Sequence, residues 1–115
     1  MARLILTHEG VNLRDYKLDK DEIILGRKPE NDIQLDDQAV SGKHARFVRE
    51  PSAYLEDHYD YFVEDLGSTN GTKVNGVEVD KQLLKQGDVV QVGKHKFTYD
   101  SGQGDLDQTA IYIPD

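Results

Sequence analysis

The chain has 115 residues, 22 of them acidic and 14 basic, for a formal net charge of −8 at neutral pH. That length suits one domain and leaves no room for a second core. The negative mean field argues against a nucleic-acid backbone or an anionic membrane as the main ligand, though a small basic pocket can still sit in an acidic body. With no cysteine in the sequence, disulfides, thiolate zinc sites and a thiol nucleophile are excluded.

The chain opens on a short apolar run, Leu4, Ile5 and Leu6, before polar residues interrupt. This is too brief for a signal peptide, and no stretch approaches the roughly 18–20 apolar residues of a membrane span. The expectation is a soluble, cytoplasmic protein. Strand-like runs follow at 3–7, 22–25, 32–35, 45–49, 59–64, 72–74, 77–79, 88–92 and 96–99, separated by Gly, Pro, Asn and Asp clusters that mark turns. Asn75-Gly76 between Val74 and Val77 is a strong hairpin signal. No window carries a helical apolar stripe beyond about two turns, and residues 82–86 are expected to form at most a turn. Many short strands with regular turns predict an all-β sandwich or barrel.

The acidic residues avoid three windows, 26–29, 38–49 and 66–77, which hold Arg27, Lys28, Lys43, His44, Arg46, Arg49 and Lys73 together with turn glycines and hydroxyl residues. These windows read as loops meeting at one end of the sandwich to form a local anion site. Within them the order is Gly26-Arg27, then Ser41-Gly42-Lys43-His44, then Ser68-Thr69-Asn70-Gly71, the Asn75-Gly76 hairpin and a Gly87-Asp88 strand entry.

This ordered set resembles the forkhead-associated (FHA) domain family, marked by Gly-Arg, Ser-x-x-His and Thr-Asn-Gly stretches. The resemblance covers about residues 1–100. It implies an FHA-type β-sandwich of about eleven strands whose apical loops bind phosphothreonine peptides, with Gly26, His44, Gly71 and Asn75 as structural motif residues. It assigns phosphate contacts to Arg27, Ser41, the Gly42 backbone and Thr69, and peptide contacts to Asn70 and Lys43. The chemistry suits these positions. A guanidinium meets phosphate oxygens bidentately and keeps its charge, and successive loop N–H groups form a concave anion nest. Each residue also has a plainer reading: a surface ion pair for Arg27, a strand-entry turn for Ser41, a left-handed turn for Asn70.

Ser41 and His44 could also be read as part of a hydrolase set. Their spacing on one loop and the absence of a Gly-x-Ser-x-Gly elbow speak against it, and the resemblance makes His44 architectural. His8, His58 and His95 lack metal-ligand spacing, so neither a metal nor a cofactor is expected. Two positions depart from the family pattern. Gly42 stands where Arg or Asn is frequent, which removes a side-chain contact worth about tenfold in affinity and predicts modest, micromolar-range binding. Lys43 beside it is a candidate to compensate. Ala39 stands two residues before the serine, where an arginine in some members favours an acidic residue after the phosphothreonine, so an apolar or aromatic preference is expected.

After residue 100 the composition shifts to a Ser-Gly-Gln-Gly linker and an acidic segment, 101–115, containing Thr109. It reads as a linker into a longer protein, as an apolar segment pairing on a sheet edge, or as a kinase substrate. From Asp100 to Thr109 the extended reach is at most about 30 Å, and the resemblance implies termini at the end opposite the phosphate loops, so phosphorylated Thr109 is expected to engage another copy, turning a monomer into an oligomer. The implied function is a non-enzymatic phosphothreonine-recognition module in Ser/Thr kinase signalling. Its partners would be a phosphothreonine-containing protein and an upstream Ser/Thr kinase, with no nucleic acid and no membrane. The alternative is a phosphate-independent docking domain that binds a protein through a sandwich face.

Overall fold

The computed structural model describes residues 2–102; Thr109 and the rest of the expected tail beyond 102 lie outside the described residues. Eleven strands form two sheets, and the described residues contain no helix, hence none long and apolar enough to cross a membrane. The strands are β1 (Arg3–His8), β2 (Val11–Lys17), β3 (Glu22–Gly26), β4 (Ile33–Gln34), β5 (Ala45–Pro51), β6 (Tyr59–Asp65), β7 (Thr72–Val74), β8 (Val77–Glu78), β9 (Lys81–Leu83), β10 (Val89–Val92) and β11 (His95–Asp100). One sheet runs β2-β1-β11-β10-β7-β8 and the other β4-β3-β5-β6-β9. The pairings are antiparallel except β3 with β4, a short parallel contact of Leu25 with Ile33 and Gly26 with Gln34.

The alternation of these strands builds the core. Leu4, Val90, Val92, Phe97 and Tyr99 point inward from one sheet, and Ile23, Leu25, Ala45, Phe47 and Val63 from the other. Such side chains each stabilise the fold by roughly 1.5–3 kcal/mol when fully buried. The intervening positions face outward and carry the charge, as period-two patterning requires.

Two strands were not expected from the sequence. The β1–β2 hairpin turns on Glu9-Gly10, with φ of 51° and 81°, a left-handed pair in which Glu replaces the usual Asn or Asp. β2 is an edge strand, exposed apart from a half-buried Tyr16 and the following buried Leu18, so it has no apolar alternation to read. Residues 81–83, within and beside the stretch expected to form only a turn, instead make β9. It pairs with β6 through Phe62–Leu83, Val63–Gln82 and Glu64–Lys81, and all three of its residues are exposed. The Asn75-Gly76 hairpin forms as expected, with φ of 52° and 85° and Val74 paired to Val77.

Register brings the informative loops together. Leu25 pairs with Ala45 and Ala45 with Asp65, so the end of β3, the start of β5 and the end of β6 lie side by side. In the facing sheet, Val92 pairs with Thr72. Loops 27–32, 35–44 and 66–71 therefore leave the sandwich at one end. Gly26 closes this junction: a Cβ there would stand 2.3 Å from the Gly42 carbonyl oxygen and 2.7 Å from Asn31 Nδ2. Because the first obstacle is backbone, Gly26→Ala is expected to destabilise the fold by about 2–3 kcal/mol or more, measured by urea denaturation. An unchanged midpoint would show that the junction tolerates a side chain.

Candidate functional site

The loop junction is assembled around His44, which is fully buried. Its backbone N–H donates to Leu25 O at 2.9 Å and its carbonyl accepts from Leu66 N at 2.9 Å. The ring ties its own loop to loop 66–71: Nδ1 accepts the Ser41 backbone N–H at 3.1 Å, and Nε2 lies 2.8 Å from Gly71 O. A backbone N–H can only donate, so Nδ1 is the acceptor and Nε2–H donates to Gly71. His44 thus addresses the backbone of Ser41 and not its hydroxyl, which removes the nucleophile–base geometry of the hydrolase reading.

Ser41 is engaged at all of its backbone groups. Its carbonyl accepts the Arg27 N–H at 2.9 Å, its N–H goes to His44, and its Oγ accepts the Thr69 N–H at 3.1 Å. A hydroxyl that accepts one bond can still donate one, so the Ser41 O–H hydrogen is left for a ligand. The Gly42 carbonyl takes Lys28 N–H at 3.2 Å and Asn31 Nδ2 at 2.6 Å. Asn70 Nδ2 donates to Ala39 O at 2.9 Å, tying the third loop to the second. Gln34 holds the Arg27 carbonyl from below at 3.2 Å.

A surface depression of about 290 Å³ results, lined by Arg27, Gln38, Ala39, Val40, Ser41, Gly42, Thr69 and Asn70. It brings together five of the expected contact residues: Arg27, Ser41, Gly42, Thr69 and Asn70. Arg27 is exposed and makes no ion pair among the described residues, so the surface-ion-pair reading of this side chain is set aside. Lys43 is exposed on the same loop and does not line the depression. Gly71 and Asn75 stand behind it. Gly71 receives the His44 ring at its carbonyl, and Asn75 clamps the β7–β8 hairpin to β10 through Val89 N to Asn75 Oδ1 at 3.0 Å.

The expected basic cluster is smaller than the acid-free windows suggested. Arg46 is held between Glu22 at 2.5 Å and Glu64 at 2.7 Å, and Arg49 pairs with Asp21 at 3.1 Å while lying over the Tyr59 ring. Both belong to β5 and are spoken for. Next to the depression lies a smaller one of about 160 Å³, lined by Ala39, Asn70, Gly71, Lys73, Gln91 and Gly93. Lys73 and Gln91 make this slot partly polar. No group of three or more His, Cys, Asp or Glu side chains with metal-binding geometry occurs among the described residues.

Three residues that shape the site were not singled out from the sequence: Asn31, Lys28 and Asp65. Asn31 and Lys28 bond the Gly42 carbonyl, as above. Asp65, at the end of β6, organises loop 66–71 by accepting from Gly67 N at 3.0 Å, Ser68 N at 3.0 Å, Ser68 Oγ at 2.5 Å and Thr72 Oγ1 at 2.7 Å. A readable signal was available in Asp65-x-x-Ser68, an Asp three residues before a hydroxyl in a Gly-containing turn. Partial burial pushes the Asp65 carboxyl up, but the hydrogen bonds from Ser68, Thr72 and the two backbone N–H groups outweigh it and hold the carboxyl below its ordinary value. Such a group stabilises the fold above its unfolded-state pKa of about 3.9, and the contribution is lost as pH falls through the lower folded value. Urea denaturation of the parent and of Asp65→Asn between neutral pH and pH 2 is expected to show the parent losing its advantage only below about pH 4. Parallel curves throughout would refute a stabilising carboxylate.

The sequence matches the FHA domain family over residues 23–93. It is 39% identical over 102 residues to the oxoglutarate dehydrogenase inhibitor of Corynebacterium diphtheriae, covering 88% of this chain and 66% of that protein. To the glycogen accumulation regulator GarA of Mycolicibacterium smegmatis it is 38% identical over 102 residues, covering 88% of this chain and 60% of that one. The chain thus spans less than two thirds of the length of these curated relatives. Among solved structures, Mycobacterium tuberculosis EmbR, determined in complex with a low-affinity phosphopeptide, superimposes with a TM-score of 0.73 and 31% identity over 87% of this chain and 24% of that one. With the family's pattern spanning more than half of the sequence, on a two-sheet β-sandwich with the loops placed as described, the chain belongs to the forkhead-associated domain family.

Proposed function

We propose that this chain is a phosphothreonine-peptide recognition module that joins proteins after a Ser/Thr kinase has acted. The observation that carries the reading is the depression itself. An unpaired Arg27, the Ser41 hydroxyl, the Gly42 backbone and Thr69 converge there from three loops, with no carboxylate in the lining. Phosphothreonine brings a charge of about −1.5 to −2 and three strong acceptor oxygens, and these are the groups that a guanidinium fork and loop donors satisfy. Asn70, fixed to Ala39 through one amide hydrogen, would bond the main chain of the bound peptide, as the family resemblance implies. Specificity for phosphothreonine over phosphoserine follows the family, in which a small cavity takes the extra methyl. In this reading the module catalyses nothing, works in the cytoplasm, and takes a phosphorylated protein as its partner.

A second reading has one observation in its favour: the similar proteins carry the names of an enzyme inhibitor and a metabolic regulator. Their partner contacts could extend over a sandwich face and be indifferent to phosphate. Away from the phosphate loops, Val74, Val77, Val79 and Leu83 line a separate groove of about 400 Å³.

Arg27→Ala separates the two readings, because the side chain touches solvent and no partner within the fold. Titration with a degenerate peptide library carrying phosphothreonine, phosphoserine or unmodified threonine should show binding of the first alone. Arg27→Ala should weaken it by at least about tenfold, the worth of one charge-assisted contact, without lowering thermal stability. Equal signals from the three libraries would overturn the recognition reading, and a partner retained by Arg27→Ala would support phosphate-independent docking.

A further inference from the structure

Position 42 lacks the side chain that would add a contact to the bound phosphate or peptide, and the structure shows what lies in its place. A Cβ built on Gly42 would meet three carbons of Lys28: Cε at 3.0 Å, Cγ at 3.3 Å and Cδ at 3.4 Å. The Lys28 stem is therefore laid along the Gly42 backbone in van der Waals contact. Its ammonium is one bond further on, and because Lys28 is not among the residues lining the depression it would meet a ligand from the rim. The backbone fixes this arrangement, since Lys28 N–H donates to Gly42 O at 3.2 Å and Asn31 Nδ2 holds the same carbonyl at 2.6 Å. Lys28 is exposed and makes no ion pair among the described residues, whereas Lys20, Arg46 and Arg49 are each paired with a carboxylate.

We infer that Lys28 is a specificity-determining residue of the anion site, a second cation that reaches the ligand across Gly42 and supplies the charge that position 42 does not. The inference rests on the phosphothreonine reading above. A dianionic phosphate facing Arg27 alone would keep an uncompensated charge inside an acidic protein. Lys28 brings the local balance close to neutral. An ammonium on a flexible stem is a point charge without the planar fork of a guanidinium, so it adds attraction for a phosphate dianion without imposing a second orientation on it. Gly42 is the enabling residue: its backbone φ lies outside the left-handed region that only glycine favours, so what its missing Cβ provides here is room for the lysine stem.

The test uses the full chain and blocked phosphothreonine (N-acetyl, C-methylamide), with binding read from the amide resonances of Gly42 and Thr69. Lys28→Met keeps the stem and removes the charge. It is expected to weaken binding by about tenfold and to flatten the dependence of affinity on salt, while leaving the urea midpoint unchanged. Lys28→Arg is expected to bind as the parent does. Gly42→Arg placed in a Lys28→Ala background, where the lysine no longer obstructs position 42, is expected to recover most of the lost affinity. If Lys28→Met binds like the parent while Arg27→Ala does not, the role of Lys28 is overturned and the phosphothreonine reading stands. If the parent fails to bind the probe, or Arg27→Ala changes nothing, both fall together.

Discussion

The imidazole of His44 is the constraint on which the binding end of this sandwich depends. It is buried with no exposure, and this one residue ties β3, its own loop and loop 66–71 together: Leu25 and Leu66 through its backbone, Ser41 and Gly71 through its ring. A buried polar group that lost one of these partners would cost the desolvation of whatever was left unpaired. Loop 27–32 is tied in through the Arg27 and Lys28 N–H groups on the Ser41 and Gly42 carbonyls, so the three loops are coupled and displacing any one strands a polar atom of another. This explains why loops that form no regular ladder hold a defined concavity. It also explains why the histidine, for all its chemical versatility, has no capacity left for proton transfer to a neighbouring hydroxyl.

Electrostatics adds a second layer to the same design. The body carries a net charge of −8, yet Asp65 and Asp37, two acids at the loops, act as structural acceptors. Asp65 gathers four donors from its own loop. Asp37 accepts Ala39 N at 2.9 Å and faces His95 Nε2 at 2.9 Å; those contacts hold its carboxyl below the ordinary range. Meanwhile Arg46 and Arg49 are consumed by Glu22, Glu64 and Asp21 along β3 and β5. Within the lining of the depression Arg27 is the one charged side chain. The surrounding acidity then disfavours extended polyanions, whose many charges meet a repulsive field, while a single phosphate samples only the local exception.

How much of this was legible in the sequence follows from the range over which each interaction acts. The Asn75-Gly76 turn, the Gly-Arg and Ser-x-x-His spacings and the strands with one buried face are local signals, and they located both the fold and the residues lining the depression. The β1–β2 hairpin was hidden because Glu9 occupies a left-handed turn position that Asn or Asp usually marks. β9 was hidden because its three exposed residues carry no alternation. Arg46 and Arg49 were assigned to the basic cluster for a related reason. Arg46 stands directly across from Glu64 in the β5–β6 register, a neighbour that no linear window of the sequence contains. Lys28 is legible only as one cation of an acid-free window, because its relation to Gly42 spans two loops and appears only once their backbones are paired.

The distribution of hydrogen bonds over the site separates the groups that build it from those that face outward. Ser41 bonds through its carbonyl, its N–H and its Oγ, so its loss would disturb loop geometry and ligand contact together. Asn70 gives one amide hydrogen to Ala39 and is in the same position to a lesser degree. Arg27 and Lys28 differ: their backbones are fixed to Ser41 and Gly42, while their cationic ends have no partner among the described residues. Fixing the base of a long side chain reduces the conformational freedom that binding must remove, and leaving its head unpaired avoids breaking an ion pair first. In the proposed reading the affinity of the site is adjustable at two cationic side chains without a partner among the described residues, whereas its shape is set by a serine, a glycine and a buried histidine that cannot change independently.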